Sequence, residues 1–288
     1  MSSIAVLMPS GITDEWRARA RVYVEQWYRR HFEHAELITG ECPPGSEWSK
    51  GEAIADAFSR TSAEVLVLAD ADSFMLDPGH LRTALDLVQH AGHPFAVPHS
   101  KVYRLRADET TRIENAPELA PRLGYTARPV YEGPIGGGIT VVSRSAFELV
   151  RGIDRRFLGW GGEDLAFGWA LQTLAGAGPR LEGRLVHLWH PHPAPNLRGS
   201  PASEELVAKY RAARGVPRRM AAVVAGEEWI AAPPLEAPVR FRMTANRTSL
   251  RLPCGDLVKF RGSFYETSDP DEVEQIRTFA IVREERRR

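Results

Sequence analysis

The sequence predicts an α/β fold, with a mainly parallel central sheet flanked by helices and a small α+β module near the C-terminal end. Over residues 4–69, apolar runs typical of buried strands alternate with amphipathic helical segments, an order that produces a parallel sheet with helical crossovers. At residues 231–238, the segment AAPPLEAP has the composition of a linker. A chain of 288 residues has room for about two domains. We therefore predict a large domain at 1–230, this linker, and a small module at 239–288.

The front of the chain carries the clearest periodicity. Each predicted strand there is a short apolar run, and each helix begins at a capping residue, Thr13 in one case and Ser49 in the other. The strands are predicted at residues 4–8, 36–39 and 65–69, and the helices at 14–32 and 49–58. The third strand runs directly into Asp70-Ala71-Asp72. Ligands of open parallel sheets bind beyond the carboxyl ends of the strands, so we expect a binding site beside this acidic pair.

The rest of the large domain alternates in the same way, with longer polar connections. Helices are predicted near residues 78–90, 143–151, 163–174 and 200–215, and strands at 94–102, 139–142 and 185–189. The polar stretch at 104–128 is expected to be a mobile loop. In the C-terminal module, alternating residues at 239–265 indicate a few strands, and residues 269–279 indicate a closing helix. The sequence has no internal repeats.

The charge balance excludes two classes of partner. Lys plus Arg and Asp plus Glu number 37 each, so the net charge is zero, whereas a general binder of nucleic acid or of anionic membranes carries a basic excess. No apolar run reaches the roughly 18 residues of a membrane helix, and the N-terminal segment is too short and too uncharged for a signal peptide. Cys42 and Cys254 are too few and too far apart for a disulfide framework. We expect a soluble, cytoplasmic protein.

Three clusters carry residues suited to chemistry, and the first is the acidic pair Asp70 and Asp72. Two carboxylates at positions i and i+2 across a turn can converge on one hard or borderline cation. Such an ion bridges a diphosphate and neutralises it as a leaving group. The alternative is that a strand simply leaves the core into a polar turn.

The second cluster is GWGGED, residues 159–164, directly before a predicted helix. Its glycines let a substrate approach the backbone closely, and a carboxylate beside the apolar Trp160 is suited to act as a general base. The alternative is a glycine turn whose acidic residues stabilise the helix N-terminus. The third cluster is HLWHPH, residues 187–192. It is not a zinc motif, but one imidazole from it can complete a cation site begun by Asp70 and Asp72.

In order and spacing, these segments resemble the GT-A-fold glycosyltransferases, which move a sugar from a nucleotide diphosphate to an acceptor hydroxyl. The resemblance covers about residues 3–215. VLVLADADS is similar to the D-x-D strand of that family. GGGITVVSRSAFELVRGIDRRFLGWGGEDLAFGWAL closely resembles the segment shared by β-1,4-galactosyltransferases and polypeptide N-acetylgalactosaminyltransferases. RLVHLW is similar to the strand that brings the metal-binding His in that group.

The resemblance implies a role for each matching residue. A divalent cation, Mn²⁺ with Mg²⁺ as the alternative, would be held by Asp72, Asp70 and His187, with Asp70 on the metal or on the ribose. The residues in positions that contact the donor are Pro9, Lys50, Ala71, Gly137, Gly138 and His190. Trp160 and Glu163 would shape the acceptor side. Asp164 would remove the proton of the acceptor hydroxyl as it attacks the anomeric carbon.

Two departures from the family bear on mechanism and substrate. Retaining N-acetylgalactosaminyltransferases have Asn at the position of Asp164, so an acid there favours an inverting single displacement. The galactosyltransferases continue the acidic run after G-G-E-D, whereas this chain has Leu165 and Ala166. The membrane anchor and disulfides of Golgi relatives are not expected here either. We therefore predict a soluble bacterial or phage enzyme that uses a UDP-sugar and modifies a protein or glycan hydroxyl, with the identity of the acceptor left open.

Two other functions stay open at this level. A non-catalytic carbohydrate-binding protein of a virion or cell envelope could use the same scaffold, since residues 239–288 are faintly similar to strand-rich modules of phage structural proteins. The alternative interpretation of that module is an appendage that serves packing or dimerisation. A phosphatase is the second alternative, because an apolar strand followed by D-A-D is similar to a phospho-aspartate motif. No downstream acidic pair of that type accompanies it.

Overall fold

The computed structural model describes residues 3–11, 14–118, 135–191, 200–245 and 247–285. The chain forms two compact units, Met1–Val207 and Ala208–Arg288. The division falls within the helix Pro201–Ala213, upstream of the predicted linker. The scheme of a domain at 1–230, a linker and a module at 239–288 stays a prediction. Of the helices within the described ranges, none combines the length and the apolar character that crossing a membrane requires.

A seven-stranded mixed sheet forms the centre of the first unit. Its strands are β1 (Ile4–Pro9), β2 (Glu36–Gly40), β3 (Val65–Ala69), β4 (Ser73–Met75), β5 (Phe95–Arg104), β6 (Ile139–Ser143) and β7 (Arg180–His187). Their order across the sheet is β2-β1-β3-β6-β5-β7-β4. Strands β6 and β4 run opposite to the other five. The prediction of an α/β fold with a mainly parallel sheet is confirmed.

Local capping chemistry sets the starts of several helices. The described helices are α1 (Glu15–His31), α2 (Lys50–Ser59), α3 (Pro78–Gln89), α4 (Ala107–Asn115), α5 (Arg144–Leu149), α6 (Glu163–Ala170), α7 (Pro201–Ala213), α8 (Pro217–Ala225) and α9 (Pro270–Arg277). A π-helical turn, Leu171–Ala175, follows α6. The side chains of Ser49 and Ser143 accept hydrogen bonds from the first turns of α2 and α5. The predicted cap of α1, Thr13, lies outside the described residues, and the capping side chain is that of Asp14.

The core of the first unit is built around β1 and β3. All five residues of β3 are buried, and so is β1 after its first residue. A strand that is covered on both faces needs a continuous apolar run rather than an alternating one, and both sequences meet that need. Helix α1 contributes Tyr23, Trp27 and Tyr28 to the same apolar cluster. The two strands are therefore held firmly, and their carboxyl ends reach the same edge of the sheet.

The reversed strand β6 brings a pair of glycines to that edge. Ala69 pairs with Ile139, so the start of β6 lies beside the end of β3. Two hydrogen bonds then join Asp70 to Gly138. The Asp70 N–H donates to the Gly138 carbonyl at 2.8 Å, and the Gly138 N–H donates to Asp70 Oδ2 at 2.9 Å. The antiparallel strand thus adds a turn to the edge at which the parallel strands end.

Several elements differ from the sequence predictions. The stretch 104–128, predicted to be a loop, includes helix α4, while its residues beyond 118 lie outside the described part of the chain. Glu109 accepts the Arg106 N–H at 2.8 Å in a capping interaction, and Ile113 is fully buried, so a short amphipathic pattern was hidden among polar residues. Strand β7 begins at Arg180 rather than 185, because its polar first half pairs with β5. Strand β4 and helix α8 were not predicted.

The second unit contains the strands and the helix that the sequence predicts, but a further strand, which was not predicted, follows the helix. Its strands are β8 (Val239–Met243), β9 (Ser249–Arg251), β10 (Leu257–Lys259), β11 (Phe264–Thr267) and β12 (Val282–Glu285). They form a three-stranded sheet in the order β11-β8-β12 and an antiparallel pair, β9 with β10. Helix α9 begins at the capping residue Asp269. A separate apolar cluster, which includes Phe241 and Ile276, gives this unit a core of its own.

Candidate active site

A cavity of about 310 Å³ lies at the edge where β1 and β3 end. Every residue to which the sequence analysis gave a role lines it: Pro9, Lys50, Asp70, Ala71, Asp72, Gly137, Gly138, Trp160, Glu163, Asp164, His187 and His190. These residues come from six separate segments of the chain. The structure therefore brings the predicted clusters together, while the role of each residue stays a prediction.

The two carboxylates of the acidic pair have different partners. Oδ1 of Asp70 lies 2.6 Å from Nζ of Lys50. Asp72 faces two imidazoles instead, because its Oδ1 lies 3.7 Å from His187 Nε2 and its Oδ2 lies 3.2 Å from His190 Nε2. Although only one residue separates them in the chain, the two carboxylates belong to two different groups of side chains.

The short strand β4 explains this separation. Ser73 in β4 pairs with His187 at the end of β7. The Leu188 N–H donates to the Asp72 carbonyl at 2.8 Å, and the Ser73 hydroxyl donates to Asp72 Oδ1 at 3.0 Å. Main-chain pairing therefore holds Asp72 beside the segment that carries His187 and His190.

Asp72, His187 and His190 fit a divalent cation. One ligand atom from each lies within 4.8 Å of the others, and a carboxylate oxygen with two imidazole nitrogens suits first-row divalent ions. Burial raises the pKa of Asp72, but His187, His190 and the Ser73 hydroxyl together hold it well below its usual range. The Asp72 carboxylate is therefore ionised without the cation and is ready to act as a ligand. Asp70, also assigned to the metal by the resemblance, lies outside this group, and His190, assigned to the donor, lies within it.

A buried lysine joins Asp70 to Asp164. Nζ of Lys50 lies 2.6 Å from Asp70 Oδ1 and 2.7 Å from Asp164 Oδ1. Lys50 is the first residue of α2, and the Ser49 cap fixes the start of that helix. Burial lowers the pKa of Lys50, but Asp164, Asp70 and Glu163 raise it beyond its usual range overall. Lys50 therefore stays a cation between the two carboxylates.

Asp164 lies in the first turn of α6, directly after the glycine turn. Gly162, at φ +97°, occupies the cap position, where a residue with a side chain would be strained. Burial raises the pKa of Asp164 to about 7, while Lys50 opposes the rise and neighbouring carboxylates add to it. A carboxyl group whose pKa is raised toward the operating pH suits a general base.

Part of the chain matches a family model, and its fold is similar to that of solved structures. Residues 125–190 match the family model described as the N-terminal domain of galactosyltransferase. The catalytic domain of Drosophila β1,4-galactosyltransferase 7, solved with xylobiose, shares the fold at 15% identity and a TM-score of 0.50, over 73% of this chain and 81% of that one. Together they indicate a glycosyltransferase of the GT-A fold.

Other glycosyltransferase structures are similar at lower scores. Glucosyl-3-phosphoglycerate synthase from Mycobacterium tuberculosis, in complex with Mn²⁺ and UDP-Glc, is 15% identical, with 94% of this chain and 91% of that chain covered and a TM-score of 0.44. GalNAc-T7 with UDP, GalNAc and Mn²⁺ is 11% identical, with 75% of this chain and 51% of that chain covered and a TM-score of 0.44. No curated protein sequence matches this chain.

The family match covers one part of the candidate site. Residues 125–190 contain the glycine pair before β6, the start of α6 and both histidines at the end of β7. Pro9, Lys50 and the acidic pair lie outside the matched segment. Their membership of the site therefore follows from the fold, which brings β1, α2 and β3 to the same cavity.

The cavity also contains residues that the sequence analysis missed. The rings of Trp48 and Trp160 lie 5.7 Å apart between centroids, with their planes 32° apart. The guanidinium carbon of Arg17 lies 4.9 Å from the centroid of Trp160. Trp48 directly precedes the Ser49 cap, and this position is the only local feature of the sequence that could have indicated a place in the cavity. Arg17 was hidden because it lies on the buried face of an amphipathic helix whose other buried residues are apolar.

Proposed function

We propose that this glycosyltransferase moves a sugar from a UDP-sugar to a hydroxyl of a protein or glycan, with inversion and with a bound divalent cation. One observation carries the proposal: the Asp72–His187–His190 group and the Lys50–Asp164 pair line the same cavity. The first group is suited to a cation beside a diphosphate. The second provides a base whose pKa of about 7 matches neutral conditions.

The cation would be held by Asp72, His187 and His190. We expect Mn²⁺, with Mg²⁺ as the alternative. When bound, the cation neutralises the diphosphate and so improves it as a leaving group. The chain's own contribution is an ionised carboxylate fixed by Ser73 and by the pairing of β4 with β7.

The nucleoside would lie at the end of β1. Pro9, Ser10 and Gly11 line the cavity there, and Arg21 Nη1 donates to Ser10 Oγ at 3.1 Å. The Trp48 ring packs on Gly11 so closely that a Cβ added to Gly11 would lie only 2.9 Å from a carbon of the ring. An aromatic face beside open main chain suits stacking by a nucleobase. The transferred sugar would lie toward the glycine turn formed by Gly137 and Gly138.

The proposed reaction is a single displacement. The acceptor oxygen forms a bond to the anomeric carbon while the bond from that carbon to the diphosphate oxygen breaks, and UDP leaves with that electron pair. Asp164 takes the proton of the acceptor hydroxyl. Because the incoming and leaving oxygens are on opposite faces of the sugar, the configuration at the anomeric carbon inverts. Trp160 and Glu163, beside Asp164, would orient the acceptor.

The test is a donor and acceptor panel with the purified full chain. Release of UDP and transfer of sugar are measured for each nucleotide sugar with Mn²⁺ or with EDTA. Short glycans come first among acceptors, including the xylobiose found in the Drosophila structure. We expect one donor to raise the melting temperature of the protein in a Mn²⁺-dependent way and to release UDP. We also expect NMR of the product to show that the anomeric configuration is inverted relative to the donor.

The same experiment addresses the non-catalytic alternative. Glycan binding that needs no metal, together with no UDP release from any donor at about 1 mM, near the upper end of usual KM values, would favour a carbohydrate-binding protein. Retention of the anomeric configuration would leave a transferase in place but remove the proposed role of Asp164.

A further inference from the structure

Arg17 is a buried cation to which the proposed reaction gives no role. It lies in the first turn of α1, its side chain is only 8% exposed, and it lines the cavity. Arginine is almost never buried this far unless its charge is paired. Here the partner is Asp14, whose Oδ2 lies 2.7 Å from Arg17 Nη1. Because the two charges cancel, this arginine can lie near a cation site without strongly repelling the cation.

Three contacts fix the Arg17 guanidinium in one orientation. Asp14 holds both ends of the residue, since its Oδ1 accepts the Arg17 N–H at 3.0 Å while its Oδ2 pairs with the guanidinium. The guanidinium carbon lies 4.9 Å from the centroid of the Trp160 ring. Nη1 also donates to the carbonyl of Pro191 at 3.3 Å. A planar group held by an ion pair, a ring and a carbonyl is a fixed support for that carbonyl.

The Pro191 carbonyl is shared between Arg17 and His190. Nδ1 of His190 lies 2.9 Å from it, and because a carbonyl oxygen can only accept, Nδ1 carries a proton. The other ring nitrogen, Nε2, lies 3.2 Å from Oδ2 of Asp72 and is therefore the ligand atom of this ring in the proposed cation site. Metal-ligating histidines usually donate their second N–H to a carbonyl or carboxylate in this way.

The segment that carries His190 lies beyond the end of β7 and is held by other elements. The Trp189 N–H donates to Thr110 Oγ1 of α4 at 2.8 Å. Proline has no N–H, so Pro191 can be held through its main chain only as an acceptor. Arg17 of α1 is a donor that meets this need from a separate, buried helix face.

We propose that Arg17 is a positioning residue of the cation site, where it holds the Pro191 carbonyl so that His190 presents Nε2 to the ion. The proposal rests on the proposed function and adds to it a residue that acts on the ion only through His190. Without this support the His190 ring has to be ordered when the ion binds, and that ordering lowers the affinity.

The test measures the Kd of Mn²⁺ alone by calorimetry, so it needs neither donor nor acceptor. Arg17→Met keeps the length of the side chain but removes the donor. We expect its Kd to be about tenfold higher than that of the wild type, at the lower end of the 10–100-fold effect of partners that hold metal ligands. Arg17→Lys keeps a donor for Pro191 and a charge for Asp14, so it should recover most of the affinity.

Arg21→Met is the matched control for the loss of a positive charge. Arg21 lies one turn further along α1 and lines the same cavity, but its guanidinium donates to Ser10 instead of Pro191. We expect its substitution to change the Kd of Mn²⁺ by less than about twofold, since residues without shared partners act independently.

A double-mutant cycle with His190→Ala separates positioning from general destabilisation. If Arg17 acts through His190, adding Arg17→Met to His190→Ala should change the Kd by less than about twofold, whereas independent effects would multiply. Zn²⁺, which binds such sites more tightly than Mn²⁺, replaces it in all four proteins if the His190→Ala proteins bind Mn²⁺ too weakly to measure. If Arg17→Met does not fold, Arg17→Gln, whose uncharged side chain is shorter, takes its place in the cycle.

Several outcomes overturn the assignment. Unchanged or tighter binding in Arg17→Met, a tenfold loss that persists in the His190→Ala background, or no recovery in Arg17→Lys would each remove the positioning role. A wild type that binds neither Mn²⁺ nor Zn²⁺ would refute the cation site of the proposed function, and the role of Arg17 with it. That result is distinct from a wild type that binds the ion with an affinity that does not depend on Arg17, which refutes the positioning role alone.

Discussion

Nζ of Lys50 lies 2.7 Å from Oδ1 of Asp164, and this ion pair joins two helix starts that are 114 residues apart in the chain. The same ammonium contacts Asp70, the first carboxylate of the acidic pair. Because burial raises the pKa of Asp164 while Lys50 opposes that rise, the ion pair controls the base strength of the proposed general base. We therefore propose that Lys50 positions Asp164, in addition to the donor contact that the resemblance implies.

The first prediction concerns the pH dependence of transfer. Asp164 must be ionised to accept a proton, so kcat/KM should rise with pH through a midpoint of about 7 and then level off. Removing the cation in Lys50→Met takes away the interaction that lowers the pKa of Asp164, so the midpoint should move to higher pH. Lys50→Arg keeps the charge and is the matched control. A midpoint that stays in place in Lys50→Met would show that this ion pair does not control the base.

The second prediction concerns Asp164 itself. Asp164→Asn keeps the shape of the side chain but cannot accept the proton, so kcat should fall by about 10²–10⁴-fold, the usual contribution of a general base. The Kd of the UDP-sugar with Mn²⁺ should change little, since the proposed cation group lies elsewhere in the cavity. Asp86→Asn, an exposed position on α3, is the control for the charge change. Near-normal turnover of Asp164→Asn would remove Asp164 from the mechanism.

The contrast between Asp70 and Asp72 shows how far sequence reasoning reached. The apolar strand followed by D-A-D was sufficient to predict that both carboxylates lie at the edge where ligands bind. Their partners depend on pairings across the sheet: β6 brings Gly138 to Asp70, and β7 brings the histidines to Asp72. Local periodicity does not predict such long-range pairings. The sequence alone therefore gave no reason to separate Asp70 from the cation that Asp72 was expected to bind.

The third prediction follows from that contrast and concerns metal binding. Asp72→Ala and His190→Ala should each weaken Mn²⁺ binding by about 100-fold or more, because loss of even an outer partner of a metal ligand costs 10–100-fold. Asp70→Asn should bind Mn²⁺ nearly as the wild type does, since Asp70 pairs with Lys50. His34→Ala, at an exposed histidine, is the control. Calorimetry with Mn²⁺ alone checks all four variants, and equal losses for Asp70 and Asp72 would restore Asp70 as a ligand.

Residues outside the recognised motifs were the hardest to find. His99 lies in a strand that was predicted, but its place beside the glycine turn comes from an irregular pairing of β5 with β7. Arg17 follows helical spacing and is buried next to Trp160, whereas an Arg at such a position is ordinarily expected in solvent. Both residues entered the site through tertiary packing, which overrides what their own neighbours in sequence indicate.

The fourth prediction concerns the glycine turn that joins β6 to the end of β3. Gly138→Ala places a side chain at φ +72° and against Leu185 and His99. A left-handed conformation alone costs about 1–2 kcal/mol for a residue with a side chain, and overpacking adds about 1–3 kcal/mol. The free energy of unfolding should therefore fall by the sum of both effects. Transfer activity should also fall, because a shift of the turn that makes room for the methyl group moves the main chain of residue 138, which forms two hydrogen bonds with Asp70.

Gly92→Ala is the matched control for this turn. Gly92 has nearly the same φ, +74°, but nothing lies within 4 Å of the position that its Cβ would take. Its substitution should lower the free energy of unfolding by the conformational part alone, about 1–2 kcal/mol, and leave transfer unchanged. Denaturant unfolding of both variants gives the difference directly. Equal destabilisation in the two would mean that the chain around Gly138 relaxes to accept a methyl group, and that the close packing of the turn against His99 does not constrain the site.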